Sequence, residues 1–188
     1  MYLDEMKYDL VIVGAGPAGL STAIKLKQLD KKNNTNHSVC IIEKGSEVGA
    51  HILSGAILDP VALNELIPDW KSLDLPVSTE VKAENFSFLT SKNSFNIPKI
   101  FLPNDTKNKG NFIISLGNLC KWLANYAENL GVDIFPGFTA KEILYDNFGK
   151  VNGIVTGEKG IDKDGNKLDL YEPSIALKGK QTIFAEGC

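Results

Sequence analysis

The chain alternates short apolar runs with stretches whose apolar residues recur every three or four positions. Leu10-Val11-Ile12-Val13 and Val39-Cys40-Ile41-Ile42 are unbroken apolar runs, the pattern of strands buried on both faces. Between them Leu20 to Leu29 has helical spacing, and a polar loop, Lys31 to His37, leads into the second run. Asp59-Pro60 predicts the start of a short helix through Leu63 and Leu66 to Ile67. Lys71 to Glu84 reads as a surface connection, and Phe86, Phe88 and Thr90 alternate as a strand turned by Ser91 to Ser94. Phe112-Ile113-Ile114 predicts a strand. Leu116, Leu119, Leu123, Tyr126, Ala127 and Leu130 predict a helix stopped by Gly131. Val132 to Phe135 is the next strand, and Ala140 to Leu144 and Val151 to Thr156 form a hairpin across Asp146 to Gly149. Asp164-Gly165 has the look of a hairpin turn; a calcium loop would need a terminal glutamate at the right offset. Ile175 to Leu177 and Thr182 to Ala185 are the last two strands.

The junction of the first strand and first helix carries the chemistry. Gly14-Ala15-Gly16-Pro17-Ala18-Gly19 follows a buried-type strand and opens a helix. Gly14 allows the sharp exit from the strand, Gly16 lets a pyrophosphate approach the backbone, and Gly19 lets helix and strand lie close. The helix start then offers unpaired N–H groups and a partial positive charge, and Pro17 sits where a missing N–H costs nothing. The second strand ends on Glu43, 24 residues past Gly19, close to the roughly 20 expected of an acid that accepts from a ribose diol. Strand, glycine turn, helix, strand and acid together make a dinucleotide-binding βαβ unit. The irregular stretch Lys44 to Ala56, rich in glycine and small residues, follows the acid and is read as backbone that wraps the cofactor.

Composition narrows the chemistry further. The 188 residues are 43% hydrophobic and carry a net charge of −3, an ordinary globular balance without the basic footprint of a nucleic-acid binder. There is no apolar run long enough to span a membrane, and Met1 to Lys7 resembles neither a secretory signal nor a basic transit peptide. All 20 basic residues are lysine, so no planar bidentate fork is present and phosphate binding must rest on backbone amides and the helix dipole, with or without a lysine. Cys40, Cys120 and Cys188 form neither a metal spacing nor a disulfide framework; Cys40 and Cys120 lie in apolar patterns and read as buried thiols.

Two features stay open on the residues alone. His51 is a structural or surface histidine, a cofactor contact or, least favoured, a catalytic acid or base. Phe95 to Pro103 holds large apolar residues between two prolines, which bar it from a central strand; it is either a loop packed on its own domain or an exposed loop facing a membrane or lipophilic channel.

The glycine motif with Ala23, followed by Glu43-Lys44 and a glycine-rich loop, resembles the glutathione-reductase-type FAD superfamily. Within it, Gly49 to Pro60, Pro68 to Trp70, Gly110 to Phe138 and Thr182 to Cys188 together resemble the electron transfer flavoprotein–ubiquinone oxidoreductase family. The resemblance implies an α/β fold: a Rossmann-like FAD-binding βαβ core with an inserted antiparallel β/α portion, in an N-terminal part of a larger flavoprotein. It implies residues 1–70 as the βαβ unit and wrapping loop, 71–110 as an insertion whose apolar loop faces membrane or quinone, and 111–188 as the rest of the FAD-binding domain, cut through at its end. It implies FAD, and a [4Fe–4S] cluster whose cysteine ligands lie beyond this chain. It implies as partners electron transfer flavoprotein, ubiquinone and a membrane surface met by Phe95 to Leu102, on the cytoplasmic face of a bacterial inner membrane in preference to a mitochondrial one, since no transit peptide is seen.

The cofactor contacts expected are Val13, Gly14, Ala15, Gly16, Pro17, Ala18, Gly19, Glu43, Lys44, Gly49, Ala50, His51, Ser54 and Gly55; the resemblance adds Ala140 beside the adenine and Gly187 on the returning strand. No catalytic acid, base or nucleophile and no metal ligand is expected, because the reaction is an electron relay in which cofactors carry the electrons. The alternatives are another FAD enzyme of the superfamily, such as a monooxygenase or a geranylgeranyl-type reductase, or a catalytically inert FAD-binding fragment.

Overall fold

In the computed structural model, residues 3–53, 55–75, 77–103, 106–161 and 165–187 are described. The chain divides into two compact units, Met1–Leu53 with Cys120–Cys188, and Ser54–Leu119.

The first unit is built on one sheet. Its strand β1 (Asp4–Val13) leads through the glycine turn into helix α1 (Pro17–Asn33), which returns as β2 (Val39–Glu43). Leu10 to Val13 pair in parallel with Val39 to Ile42, residue for residue, and the four apolar residues of each run are buried, as two-sided burial requires. Helix α1 runs past the expected Leu29. Lys31 and Lys32 complement the dipole of the last turn, and Asn34, in the left-handed region at φ 55, ends it by donating its N–H to Asp30 O.

The second unit begins with β3 (Gly55–Leu58), helix α2 (Val61–Leu66) and β4 (Val77–Glu80). A hairpin of β5 (Ser87–Leu89) and β6 (Ser94–Asn96) follows, then β7 (Phe112–Ser115). β7 is the centre of a three-stranded antiparallel sheet between β3 and β4, two strands placed in stretches expected to be loop and surface connection. Neither is long enough to announce itself: each has four residues, and β3 alternates exposed with half-buried positions. Trp70 anchors this unit, buried, edge-on to Phe112 at 5.4 Å, with its indole N–H donated to Asn64 Oδ1 at 2.7 Å. Asp59 accepts the Val61 N–H at the start of α2.

Helix α3 (Leu116–Asn129) carries the chain back into the first unit, and Gly131, at φ 85, precedes β8 (Val132–Pro136). Then come β9 (Ala140–Tyr145), β10 (Val151–Thr156), the ribbon β11 (Lys159–Ile161) and β12 (Lys167–Glu172), and β13 (Ile175–Phe184). The sheet order is β8-β2-β1-β13-β10-β9; the first four strands are parallel, β10 runs antiparallel to β13, and β9 runs antiparallel to β10. The two last strands expected from the sequence are one. β13 pairs along β1 from Asp4↔Ile175 to Val13↔Phe184, and this long partner also draws Asp4, Glu5, Met6 and Lys7 into β1. One face of the sheet packs Val11, Val13, Cys40, Ile42, Ile154 and Leu177 into a core.

Candidate functional site

The glycine turn lies where β1, β2 and β13 end together. Gly14 N donates to Ile42 O at 2.8 Å, and Ala185 N donates to Val13 O at 2.7 Å, so the turn is held by both neighbouring strands. Gly14 has φ +105, and a Cβ there would stand 2.5 Å from Ala185 O. A Cβ on Gly19 would stand 2.1 Å from Gly14 O and 3.1 Å from Ile12 Cγ2, so helix and strand touch as the motif requires. These two glycines are demanded by the protein's own packing.

Gly16 is different. Its backbone is extended, at φ −78 and ψ −179, and a Cβ built on it meets nothing within 4 Å. No side chain caps α1 and no acid sits in its first turn. The helix start therefore presents backbone amides and its partial positive charge into an approach that any larger residue at position 16 would fill. Those are the features an anionic diphosphate needs.

Glu43 closes the other side. Its Oε2 accepts the Ala15 N–H at 3.0 Å and its Oε1 accepts the Gly45 N–H at 2.7 Å. The carboxylate thus bridges the glycine turn and the loop after β2, and each oxygen keeps a further acceptor position for a sugar hydroxyl. Its two amide bonds, invisible in the sequence, fix its direction. The loop is also pinned from the third side: Gly137 N donates to Gly45 O at 2.7 Å and Phe138 N to Glu43 O at 3.0 Å. The strap Gly137-Phe138 was missed from the sequence; its one signal is the glycine directly after a strand, at φ +84. Cys120 is buried near this end, where burial and the Glu43 charge push its thiol up to about 11; burial and Asp133 push Cys40 up to about 12.

Of the expected contacts, Val13 to Gly19, Glu43 and Lys44 are brought together at the turn. Gly49, at φ 84, with Ala50 and an exposed His51 forms turns in the following loop, tied by Ala50 N to Glu47 O and Ile52 N to Gly49 O. Ala140 packs against the core that contains Val13 and Ile42. Gly187, at φ 81, lies two residues beyond Ala185. Gly55 opens β3 in the other unit, and Ser54 lies outside the described residues.

Comparison with known proteins adds the lineage. Residues 12–79 match a family described as an NAD(P)-binding Rossmann-like domain. The whole chain is 55% identical to 34% of the electron transfer flavoprotein-ubiquinone oxidoreductase of Pseudomonas aeruginosa. Over 98% of the chain it is 53% identical to 30% of the mitochondrial protein of that name from Dictyostelium discoideum. The resemblance read from the sequence is borne out, and the chain spans about a third of the length of these relatives. Among solved structures, a geranylgeranyl bacteriochlorophyll reductase-like protein from Thermoplasma acidophilum superposes with a TM-score of 0.66 at 20% identity, covering 97% of this chain and 40% of that one. A myxobacterial chondrochloren halogenase, a variant of FAD-dependent halogenases, gives 0.61 at 16% identity, over 96% of this chain and 37% of that one. These likenesses bear out the α/β Rossmann-type fold.

Proposed function

We propose that this chain, kin over its whole length to the electron transfer flavoprotein–ubiquinone oxidoreductases, is the FAD-holding part of an oxidoreductase that passes electrons from reduced electron transfer flavoprotein to ubiquinone. The observation that carries the reading is Gly16: the fold itself does not need a glycine there, and a diphosphate does. The amides at the start of α1 would hold the pyrophosphate and Glu43 the adenosine ribose. Lys44, the loop from Gly49 to Gly55, Ala140 and Gly187 would complete the contacts. Bound FAD supplies the redox chemistry; the chain's residues hold it in place and orient it.

The family's [4Fe–4S] cluster does not fit the described residues. Cys40 and Cys120 are separately buried thiols, and no three or more His, Cys, Asp or Glu side chains converge among the described residues. The cluster and the quinone chemistry belong, in this reading, to the longer protein, and the chain alone holds FAD without reducing quinone. The 55% identity to an oxidoreductase of this name favours the reading over a reductase or halogenase matched at 20% identity or less.

Membrane contact through Phe95 to Leu102 is supported by exposure. Ile100 is 86% and Phe101 77% exposed, and Phe88 and Phe95 of the adjacent hairpin are exposed as well. No helix among the described residues is long and apolar enough to cross a membrane. By its kinship the reading is a protein at a membrane surface, the cytoplasmic face of a bacterial inner membrane; a net charge of −3 speaks against nucleic acid as a partner.

The test is Gly16→Ser. Serine at a helix cap position is at least as favourable as glycine, so the ligand-free melting temperature should hold or rise slightly. Flavin absorbance retained after incubation with FAD and desalting should fall away. Full flavin retention by Gly16→Ser, or no flavin bound by the unaltered chain, would sink the proposal.

A further inference from the structure

The strap after β8 is held on its outer side by a residue from outside the glycine motif. Lys159, the first residue of β11, lays its stem along Gly137, its Cε 3.1 Å from where a Cβ on that glycine would stand. Its Nζ lies 5.0 Å from the centroid of the Phe138 ring. Glu172, the cross-strand partner of Lys159 in the β11–β12 ribbon, accepts from that Nζ at 3.2 Å. The ammonium is thus fixed between an aromatic face and a carboxylate. Phe138 in turn donates its amide to Glu43 O, and Glu43 holds the Ala15 amide of the glycine turn.

We propose that Lys159 is a positioning residue for the nucleoside end of the dinucleotide site: by pinning Phe138 it fixes the backbone of Glu43 and so the direction of the carboxylate that grips the ribose. The inference rests on the dinucleotide reading above. It makes the ribbon a determinant of affinity for the adenosine-diphosphate half of the ligand. The ion pair with Glu172 is half-exposed and weak alone; its work is to hold the ammonium over the ring, where the cation–π contact and the packed stem act together.

The experiment measures ADP and FAD affinity of the full chain by calorimetry, with ligand-free melting temperatures alongside. Lys159→Met keeps the apolar stem and removes the charge. It should weaken ADP and FAD by the same factor, about fivefold, the size of one partly exposed cation–π contact with its ion pair. Glu172→Gln should weaken both in the same direction by less, Lys159→Arg should restore binding, and the ligand-free melting temperatures should fall by no more than the few degrees that one such contact is worth. Equal ADP affinity for the unaltered chain and Lys159→Met overturns the proposal. So does a loss that Arg fails to recover and that comes with a fall in melting temperature beyond those few degrees, since the variant then acts by loosening the fold. An unaltered chain that binds neither ADP nor FAD removes the dinucleotide reading and this inference with it, and that outcome is visible before any variant is made.

Discussion

The sheet of the first unit and the β5–β6 hairpin of the second put their apolar residues to opposite uses. In the first, Val11, Ile12, Leu20, Ile24 and Ile41 are fully buried in and against the parallel sheet. In the second, every residue of β5 and β6 is exposed, with Phe88 at 62% and Leu89 at 72%. A fully buried large apolar side chain stabilises by about 1.5–3 kcal/mol, a contribution the sheet gains and the hairpin does not. An apolar hairpin left in water contributes little to folding and is available to something other than the chain's own core.

The contrast breaks first at Gly14. Valine there adds left-handed backbone strain to overlap with Ala185 O and should cost about 4 kcal/mol, seen as loss of a cooperative thermal transition. A normal melt for Gly14→Val would mean that the junction of β1 and β13 is looser than described. Ile41→Ala should cost about 3 kcal/mol in denaturant unfolding, the cavity penalty of a fully buried site; a cost near that of a surface substitution would remove the contrast between the units. Glu43→Ala should weaken FAD by about 2 kcal/mol, through loss of a charge-assisted acceptor; unchanged FAD titration would take Glu43 out of the site.

Acid sharpens the picture at the far end of α1. Burial pushes the Asp30 carboxyl up, but the His37 N–H, the Thr35 hydroxyl and the His37 ring outweigh it and hold the pKa at about 2. A carboxyl depressed in the folded state stabilises above its ordinary value of 3.8 and loses that contribution as pH falls through about 2. Asp30→Asn should flatten the acid limb of the melting curve, and an unchanged limb would contradict the assignment. The smallest effect on stability belongs to the double change Ile100→Ser and Phe101→Ser, within about 0.5 kcal/mol. The same variant should lose affinity for phospholipid vesicles in flotation. If it floats like the unaltered chain, the exposed loop has no membrane role.

Much of this was legible along the chain. The buried runs of β1 and β2, helix α3, the β9–β10 hairpin and the three glycines of the turn depend on local periodicity and on backbone chemistry, which neighbouring residues settle among themselves. Membership of Phe95 to Leu102 in a packed or an exposed loop did not follow from composition, because apolar residues near prolines suit either. The strands β3 and β4 escaped notice because each is only four residues long and made possible by pairing with β7.

The sequence by itself determined that a glycine turn would join a buried strand to a helix, and that an acid would end the next strand. Only the tertiary structure decided that β13 would run unbroken along β1, that two of the glycines answer to packing while Gly16 does not, and that the Glu43 carboxylate would be aimed by amides from Ala15 and Gly45. The physical reason is range. Turns and helices follow from bonds between residues a few positions apart, whereas the free side of Gly16 and the aim of Glu43 depend on strands that meet only after the whole sheet has formed.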